Sequence, residues 1–139
     1  MLPSGLTEFV GDDESLARFL PSSNHFSAQR VKPAAFLPSA ACETSVFRHT
    51  GDPVGELWAI GAEHLGGRSF HGAAIVRACE VRAALLDVSA DEPPPRHAVI
   101  RGWPRLDDDP ELQKARQKER AILIASKASL LLKGPVIQH

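Results

Sequence analysis

Histidine and arginine side chains recur at the ends of the strands that this sequence predicts. Arg48 ends one predicted strand, His71 precedes a second, and Arg96 and His97 open a third. Arginine binds phosphate or carboxylate groups through paired hydrogen bonds, and histidine exchanges protons near neutral pH. If these strands are neighbours, the four side chains meet at one sheet edge as a catalytic site for phosphodiester or nucleotide chemistry. That scheme requires His71 and His97 to lie within about 10 Å of each other, so that both reach one substrate.

Each of these residues also has a purely structural interpretation. A histidine at a strand end is commonly a hydrogen-bonding residue of the scaffold. Arg96 can pair with Asp91 or Glu92 beside the proline run, and His97 can anchor the loop that ends at Trp103. Both interpretations stay open, because the choice depends on the order of strands in the sheet.

The familiar local signatures of enzymes are absent from the sequence. It contains no phosphate-binding glycine loop, dinucleotide fingerprint, His-Glu-x-x-His helix or nucleophile elbow. The tight glycine pair Gly66-Gly67 lacks the Lys-Ser/Thr that completes a phosphate loop. Cys42 and Cys79 are too far apart to be a close pair of zinc ligands, and two cysteines do not make a disulfide framework. We therefore expect reduced thiols, no metal and no cofactor.

Three further residues are candidates for contact with a ligand or partner. Arg30 and Lys32 are the cations of a proline-containing segment that reads as extended. Trp103 lies between Gly102 and Pro104, which hold it rigidly. Its ring is either a core plug packed on the C-terminal helix or an aromatic platform for a ligand or partner.

Composition narrows the class of protein. The 139 residues are 43% hydrophobic and 24% charged, with a net charge of −1. Residues 1–50, 51–106 and 107–139 each sum to within one charge of zero, which argues against a nucleic-acid-binding surface. No apolar stretch approaches the roughly 20 residues of a membrane span, and the N-terminus lacks a signal-peptide pattern. The abundance of arginine and alanine indicates a GC-rich, bacterial genome. We expect a cytoplasmic bacterial protein without membrane contact.

The elements that must position these residues follow from apolar spacing and from proline and glycine breakers. Alternation in one strand puts Val46 and Arg48 on one face and Ser45, Phe47 and His49 on the other. The predicted elements are a short helix over 12–20, an extended irregular segment over 25–36, strands over 44–49, 73–76, 85–88 and 97–101, a helix over 53–61, and a helical turn over 78–84.

The C-terminal helix is the clearest predicted element. Asp109 is its N-cap and Pro110 occupies the first helical position. The segment 106–133 is assigned to this helix, with the helical run ending near Leu132, ahead of Gly134-Pro135. We predict one domain over 1–139, with 1–14 loosely ordered. Its class is α+β, a small, mainly antiparallel sheet packed by this long helix and by short helices.

Two motifs make the chain resemble a group of small bacterial proteins of unassigned function. They are Ser45-Val-Phe-Arg48 and the run Arg96-His-Ala-x-Ile-x-Gly-Trp-Pro104. The resemblance covers residues from about 16 to 132. It implies a self-contained domain and no particular mechanism, because no activity is established for that group.

Two functions from different classes follow. The first is an accessory or protein-interaction module without catalysis, which docks a partner protein or a second copy through the half-charged terminal helix. The second is a hydrolase or nucleotide-processing enzyme that uses His71 and His97 with Arg48 and Arg96. The absence of catalytic motifs favours the first.

Overall fold

The computed structural model describes residues 2–51 and 53–133. Four strands precede the first α-helix, and two short 3-10 turns, Ser23–His25 and Pro33–Ala35, interrupt the irregular segment after the first strand. The strands are β1 Ser15–Phe19, β2 Phe26–Ser27, β3 Arg30–Val31, β4 Thr44–Arg48, β5 Gly72–Arg77, β6 Asp87–Ala90, β7 His97–Arg101 and β8 Ser129–Leu132. The helices are α1 Val54–His64, α2 Ala78–Ala83 and α3 Pro110–Lys127.

Six strands form one sheet in the order β6-β7-β4-β1-β5-β8, and every neighbouring pair is antiparallel. Strands β2 and β3 form a separate two-stranded hairpin. Together with the long helix α3 and two shorter helices, this architecture confirms the predicted α+β class.

Side-chain alternation gives the sheet two apolar faces. One face carries Leu16, Val46 and Ile100, which join residues of α2 and α3 in the larger core. The opposite face carries Phe19 and Phe47, which join residues of α1 in a smaller core. The central strands are therefore buried on both sides, and only polar groups with local partners can be accommodated there.

The predicted helix over 12–20 is wrong, because Ser15–Phe19 is strand β1 in the centre of the sheet. Leu16 and Ala17 point to opposite faces and both are completely buried. A strand satisfies these two positions at once, whereas a short helix would bury one side only. Tertiary pairing with β4 and β5 therefore overrides the acidic residues that suggested a helix start.

The C-terminal helix begins as predicted and ends earlier. The Asp109 carboxylate accepts a hydrogen bond from the Leu112 amide at 3.1 Å, which caps the first turn. The helix stops at Lys127, and Ser129–Leu132 forms edge strand β8 against β5 instead of the helix's last turns. The assignment of 106–133 to a helix is therefore too long at both ends. The predicted stop at Gly134-Pro135 lies outside the described residues.

The other predicted elements agree with the structure. Strands over 44–49, 73–76 and 97–101 appear as β4, β5 and β7, and the helical turn over 78–84 is α2. The predicted strand over 85–88 appears slightly later as β6. The helix over 53–61 is α1, which continues to His64. This extra turn brings a histidine to the sheet.

Candidate functional site

The register places His71 and His97 far apart. His97, Phe47, Ala17 and Ile75 follow one another across four adjacent strands. His71 lies four residues beyond Ile75, so the two histidine backbones are separated by three strand spacings and about 13 Å along the sheet, roughly 19 Å in total. The structure does not bring the two histidines into one cleft, and the predicted four-residue site is not assembled.

Arg48 is part of the scaffold. Its side chain is 1% exposed, and its Nε and Nη2 donate to the two carboxylate oxygens of Glu14 at 2.7 and 2.8 Å. It also donates to the main-chain oxygens of Thr7 at 2.7 Å and Phe9 at 3.3 Å. These bonds tie the described part of the predicted loose segment 1–14 to the sheet, on the face opposite His97.

The main-chain oxygen of Arg96 accepts a hydrogen bond from the Arg48 amide at 2.9 Å, so Arg48, Arg96 and His97 are backbone neighbours. The Arg96 amide donates to the Glu92 carboxylate at 3.0 Å, so Arg96 shapes the loop before β7. Arg30 and Lys32 are exposed at the β2–β3 hairpin. Trp103 is 5% exposed and its Nε1 donates to a main-chain oxygen in β7, which matches the core-plug interpretation.

A different set of side chains meets around His97. Its Nε2 lies 3.1 Å from the Ser45 hydroxyl oxygen, and its Nδ1 lies 3.2 Å from a carboxylate oxygen of Asp91. The pairing of Ser45 with Val99 and of Phe47 with His97 puts both polar side chains on the α1 face of the sheet. Asp91 follows β6, and its position across the hairpin aims its carboxylate at the ring. The result is a serine, a histidine and an aspartate in series.

The hydrogen bonds define the tautomer of His97. Nδ1 lies 2.9 Å from the main-chain oxygen of Asp91, and a carbonyl oxygen can only accept. Nδ1 therefore carries the proton of the neutral ring, and Nε2 presents its lone pair to Ser45. The Ser45 hydroxyl accordingly donates to Nε2, which is the arrangement by which a histidine base activates a serine. His97 itself is 8% exposed, which holds this geometry rigidly.

Two cavities adjoin this group, and His64 lines both. The larger one, about 470 Å³, is bounded mainly by apolar side chains of β4, α1 and the proline loop. The smaller one, about 210 Å³, has the Ser45 side of β4 on its wall, together with Arg18 and Arg68. Ser45 is partly exposed and is thus open to a small molecule from the smaller cavity.

The environment of His64 is electropositive. Burial lowers the pKa of His64, and the positive charges of Arg18 and Arg68, and of His97 whenever its ring is protonated, lower it further. The His64 ring lies 4.9 Å from the Phe47 ring and 6.2 Å from the His97 ring, measured between centroids. His64 is consequently neutral at neutral pH and provides a second imidazole beside the first.

The sequence contained part of this site. Alternation placed Ser45 and Phe47 on one face, and His97 was already a candidate. The six-residue step from Asp91 to His97 across a proline loop was a further signal, since such a loop returns the chain beside itself. The pairing of β4 with β7, which joins residues 52 positions apart, has no signal in a single sequence.

No metal site, membrane-spanning helix or related protein indicates a function for the described part of the chain. Within residues 2–51 and 53–133, no group of three or more histidine, cysteine or acidic side chains is arranged to hold a metal ion. Among the described helices, none has both the length and the apolar character needed to cross a bilayer. Comparison of the chain with protein-family models, with curated proteins and with solved structures gives no match.

Proposed function

We propose that the protein is an ester hydrolase in which Ser45 is the nucleophile, His97 the general base and Asp91 the residue that orients the base. The observation that carries this proposal is the continuous series of contacts from the Ser45 hydroxyl through His97 to Asp91, at 3.1 and 3.2 Å. At 3.1 Å a base can take the proton of a nucleophile, and 3.2 Å is the limit at which a carboxylate orients that base.

The reaction proceeds in two steps. Ser45 Oγ attacks the ester carbonyl carbon while its proton moves to His97 Nε2, and the tetrahedral intermediate then expels the alcohol, which takes that proton from Nε2. The product of this step is an acyl ester on Ser45. A water molecule, deprotonated by Nε2, attacks the acyl carbon; the proton returns to Ser45 Oγ as the carboxylic acid leaves.

Two neighbours support this chemistry electrostatically. The Asp91 carboxylate stabilises the positive charge that forms on His97 when it accepts the proton. The Arg18 guanidinium, whose Nη1 donates to the Ser45 main-chain oxygen at 3.0 Å, places positive charge beside the reacting serine. Positive charge near this serine favours the negative charge that develops as Ser45 attacks.

The experiment is hydrolysis of 4-nitrophenyl butyrate by the wild-type protein and matched variants. Ser45→Ala and His97→Gln are each expected to lower kcat/KM by about 100-fold or more, the usual contribution of a nucleophile–base pair. Asp91→Asn is expected to lower kcat/KM by a smaller factor, because the Asp91 main-chain oxygen still accepts the His97 Nδ1–H. Ser89→Ala, which alters another half-buried strand serine, is the control and should retain wild-type turnover.

Two results would contradict the proposal. One is turnover by Ser45→Ala equal to that of Ser89→Ala, both proteins being folded by circular dichroism. The other is a wild-type protein that hydrolyses the ester no faster than an equal concentration of free imidazole.

A second candidate is the interaction module that the sequence predicts, and the outer side of α3 favours it. Ile122 and Leu123 are 46% and 51% exposed there and follow each other on a helix whose preceding turns are largely charged. Self-association through this patch would bury them. Sedimentation velocity of the wild-type protein and of Ile122→Lys/Leu123→Lys tests it: a dimer that dissociates in the double variant supports docking, and a wild-type monomer at high concentration contradicts self-association.

A further inference from the structure

Arg18 is a partly buried cation that has no acidic partner among residues 2–51 and 53–133. Its Nε and Nη1 donate to the main-chain oxygens of Ala35 at 2.9 Å and Ser45 at 3.0 Å. In the described part of the chain, no carboxylate forms an ion pair with it. Burial lowers the pKa of Arg18, and no negative charge of the described residues offsets that effect. A desolvated guanidinium in this state favours any anion that reaches it.

The smaller cavity leads to this guanidinium. Its wall carries two arginines, Arg18 and Arg68, together with His64 and Ser45. None of the described residues on this wall is acidic. Arg68 is exposed, and its Nε makes one long bond of 3.4 Å to the Leu65 main-chain oxygen, so its guanidinium can turn toward a ligand.

The adjoining larger cavity is lined mainly by apolar side chains, in contrast to the charged wall of the smaller one. Its lining by Phe47, Ile60, Pro94 and Pro95 is apolar, and Glu63 and His64 are its polar members. An elongated molecule that extends from one cavity to the other therefore meets hydrocarbon on one side of His64 and positive charge on the other. Ser45 lies on the charged side.

We infer that the cavity of Arg18 and Arg68 binds an oxyanion of the substrate, a carboxylate or a phosphate, while an apolar group of the same molecule occupies the larger cavity. This inference rests on the proposed function and specifies its substrate class as anionic esters. Guanidinium groups suit both oxyanions, because their N–H fork matches two oxygens. Burial lowers the pKa of His64 most, and the charges of Arg18 and Arg68 on the cavity wall lower it further.

The kinetic test compares two esters of similar length that differ in charge. The wild-type protein should hydrolyse mono-4-nitrophenyl glutarate with a higher kcat/KM than 4-nitrophenyl butyrate. Arg68→Gln should lower the ratio of kcat/KM for the glutarate ester to kcat/KM for the butyrate ester by about fivefold. This is the effect of one charged hydrogen bond in a partly exposed site. Arg105→Gln, which removes an exposed arginine of the loop before α3 that lines neither cavity, should leave the ratio unchanged. If Arg68→Gln lowers turnover of both esters equally, Arg68 stabilises the oxyanion of the reaction and the inference is wrong.

A binding test separates this inference from the proposed function. Ser45→Ala protein, which cannot turn over an ester, is titrated with glutarate and, separately, with inorganic phosphate, and the His64 imidazole resonances are followed. Saturable shifts that Arg68→Gln weakens support the anion site even if no ester is hydrolysed, and the two arms show which oxyanion is preferred. Hydrolysis without a charge preference, together with no shift from either anion, overturns the inference and leaves the hydrolase proposal in place.

Discussion

Arg48→Met removes the guanidinium that ties the N-terminal segment to the sheet. The substitution leaves the Glu14 carboxylate and the main-chain oxygens of Thr7 and Phe9 without their shared donor. Breaking a buried ion pair by removing one partner typically costs about 3–5 kcal/mol. Because the Glu14 side chain is 18% exposed and can recover some hydration, we expect the lower end, about 3 kcal/mol.

Urea unfolding followed by tryptophan fluorescence measures this loss. A domain of this length has a total stability of about 7–20 kcal/mol, so the variant should remain folded without denaturant. With a slope of about 2 kcal/mol per molar, the midpoint should fall by about 1.5 M. Arg30→Met, on an exposed strand, is the matched control, with an expected change below about 0.5 kcal/mol. A loss below about 1 kcal/mol for Arg48→Met would refute the scaffold role of Arg48.

The Arg48–Glu14 ion pair makes the stability of the fold depend on pH in a direction that can be predicted. Burial raises the pKa of Glu14, but hydrogen bonds from Arg48 and from the Gly11 amide outweigh it and hold the pKa below the ordinary 4.5. The pKa of Glu14 is lower in the folded than in the unfolded protein. The contribution of the ionised Glu14 to the free energy of unfolding is therefore complete above about pH 4.5 and is lost as the pH falls through the folded pKa. The stability difference between wild type and Glu14→Gln should therefore shrink in acid. A difference that stays constant down to about pH 3 would contradict the pairing.

Two glycine substitutions test the packing that positions the site. In Gly61→Ala the new Cβ would lie 2.7 Å from a Phe19 ring carbon and 2.9 Å from a Phe70 ring carbon. Thermal unfolding should show a loss of stability of about 1–3 kcal/mol. An unchanged melting temperature would mean that α1 packs more loosely against the sheet than described. In Gly72→Ala the Cβ would overlap the Leu131 main-chain oxygen. Hydrogen exchange should then report lost protection in β8, whereas wild-type protection would contradict the β5–β8 register.

Local chemistry made parts of the fold predictable. The start of α3 followed from Asp109 and Pro110, because an N-cap acceptor and a proline without an amide proton suit the first turn. Strand β7 followed from the alternation of its residues, which puts Ala98 in the larger core and His97 on the other face. These features depend on residues close to one another in the chain.

Features that depend on distant partners were not predictable in the same way. Glu14 looked like a helix-start residue, yet its carboxylate binds Arg48, 34 positions later. Helix α3 ends at Lys127 without a glycine or proline, because Leu130 and its neighbours complete the sheet beside β5. The contact between Ser45 and His97 likewise exists only through the β4–β7 register, so the candidate site could be recognised only in the folded chain.

Covalent labelling by a fluorophosphonate tests the activation of Ser45 most directly, because this reagent phosphonylates serines that a histidine base has activated. Intact-mass spectrometry and peptide mapping should find one adduct per chain, on Ser45, with none in Ser45→Ala and wild-type labelling in Ser89→Ala. His97→Gln should slow the labelling by about 100-fold, as expected for loss of the base. An unlabelled wild-type protein, or an adduct that persists unchanged in Ser45→Ala, would contradict the assignment of Ser45 as the nucleophile.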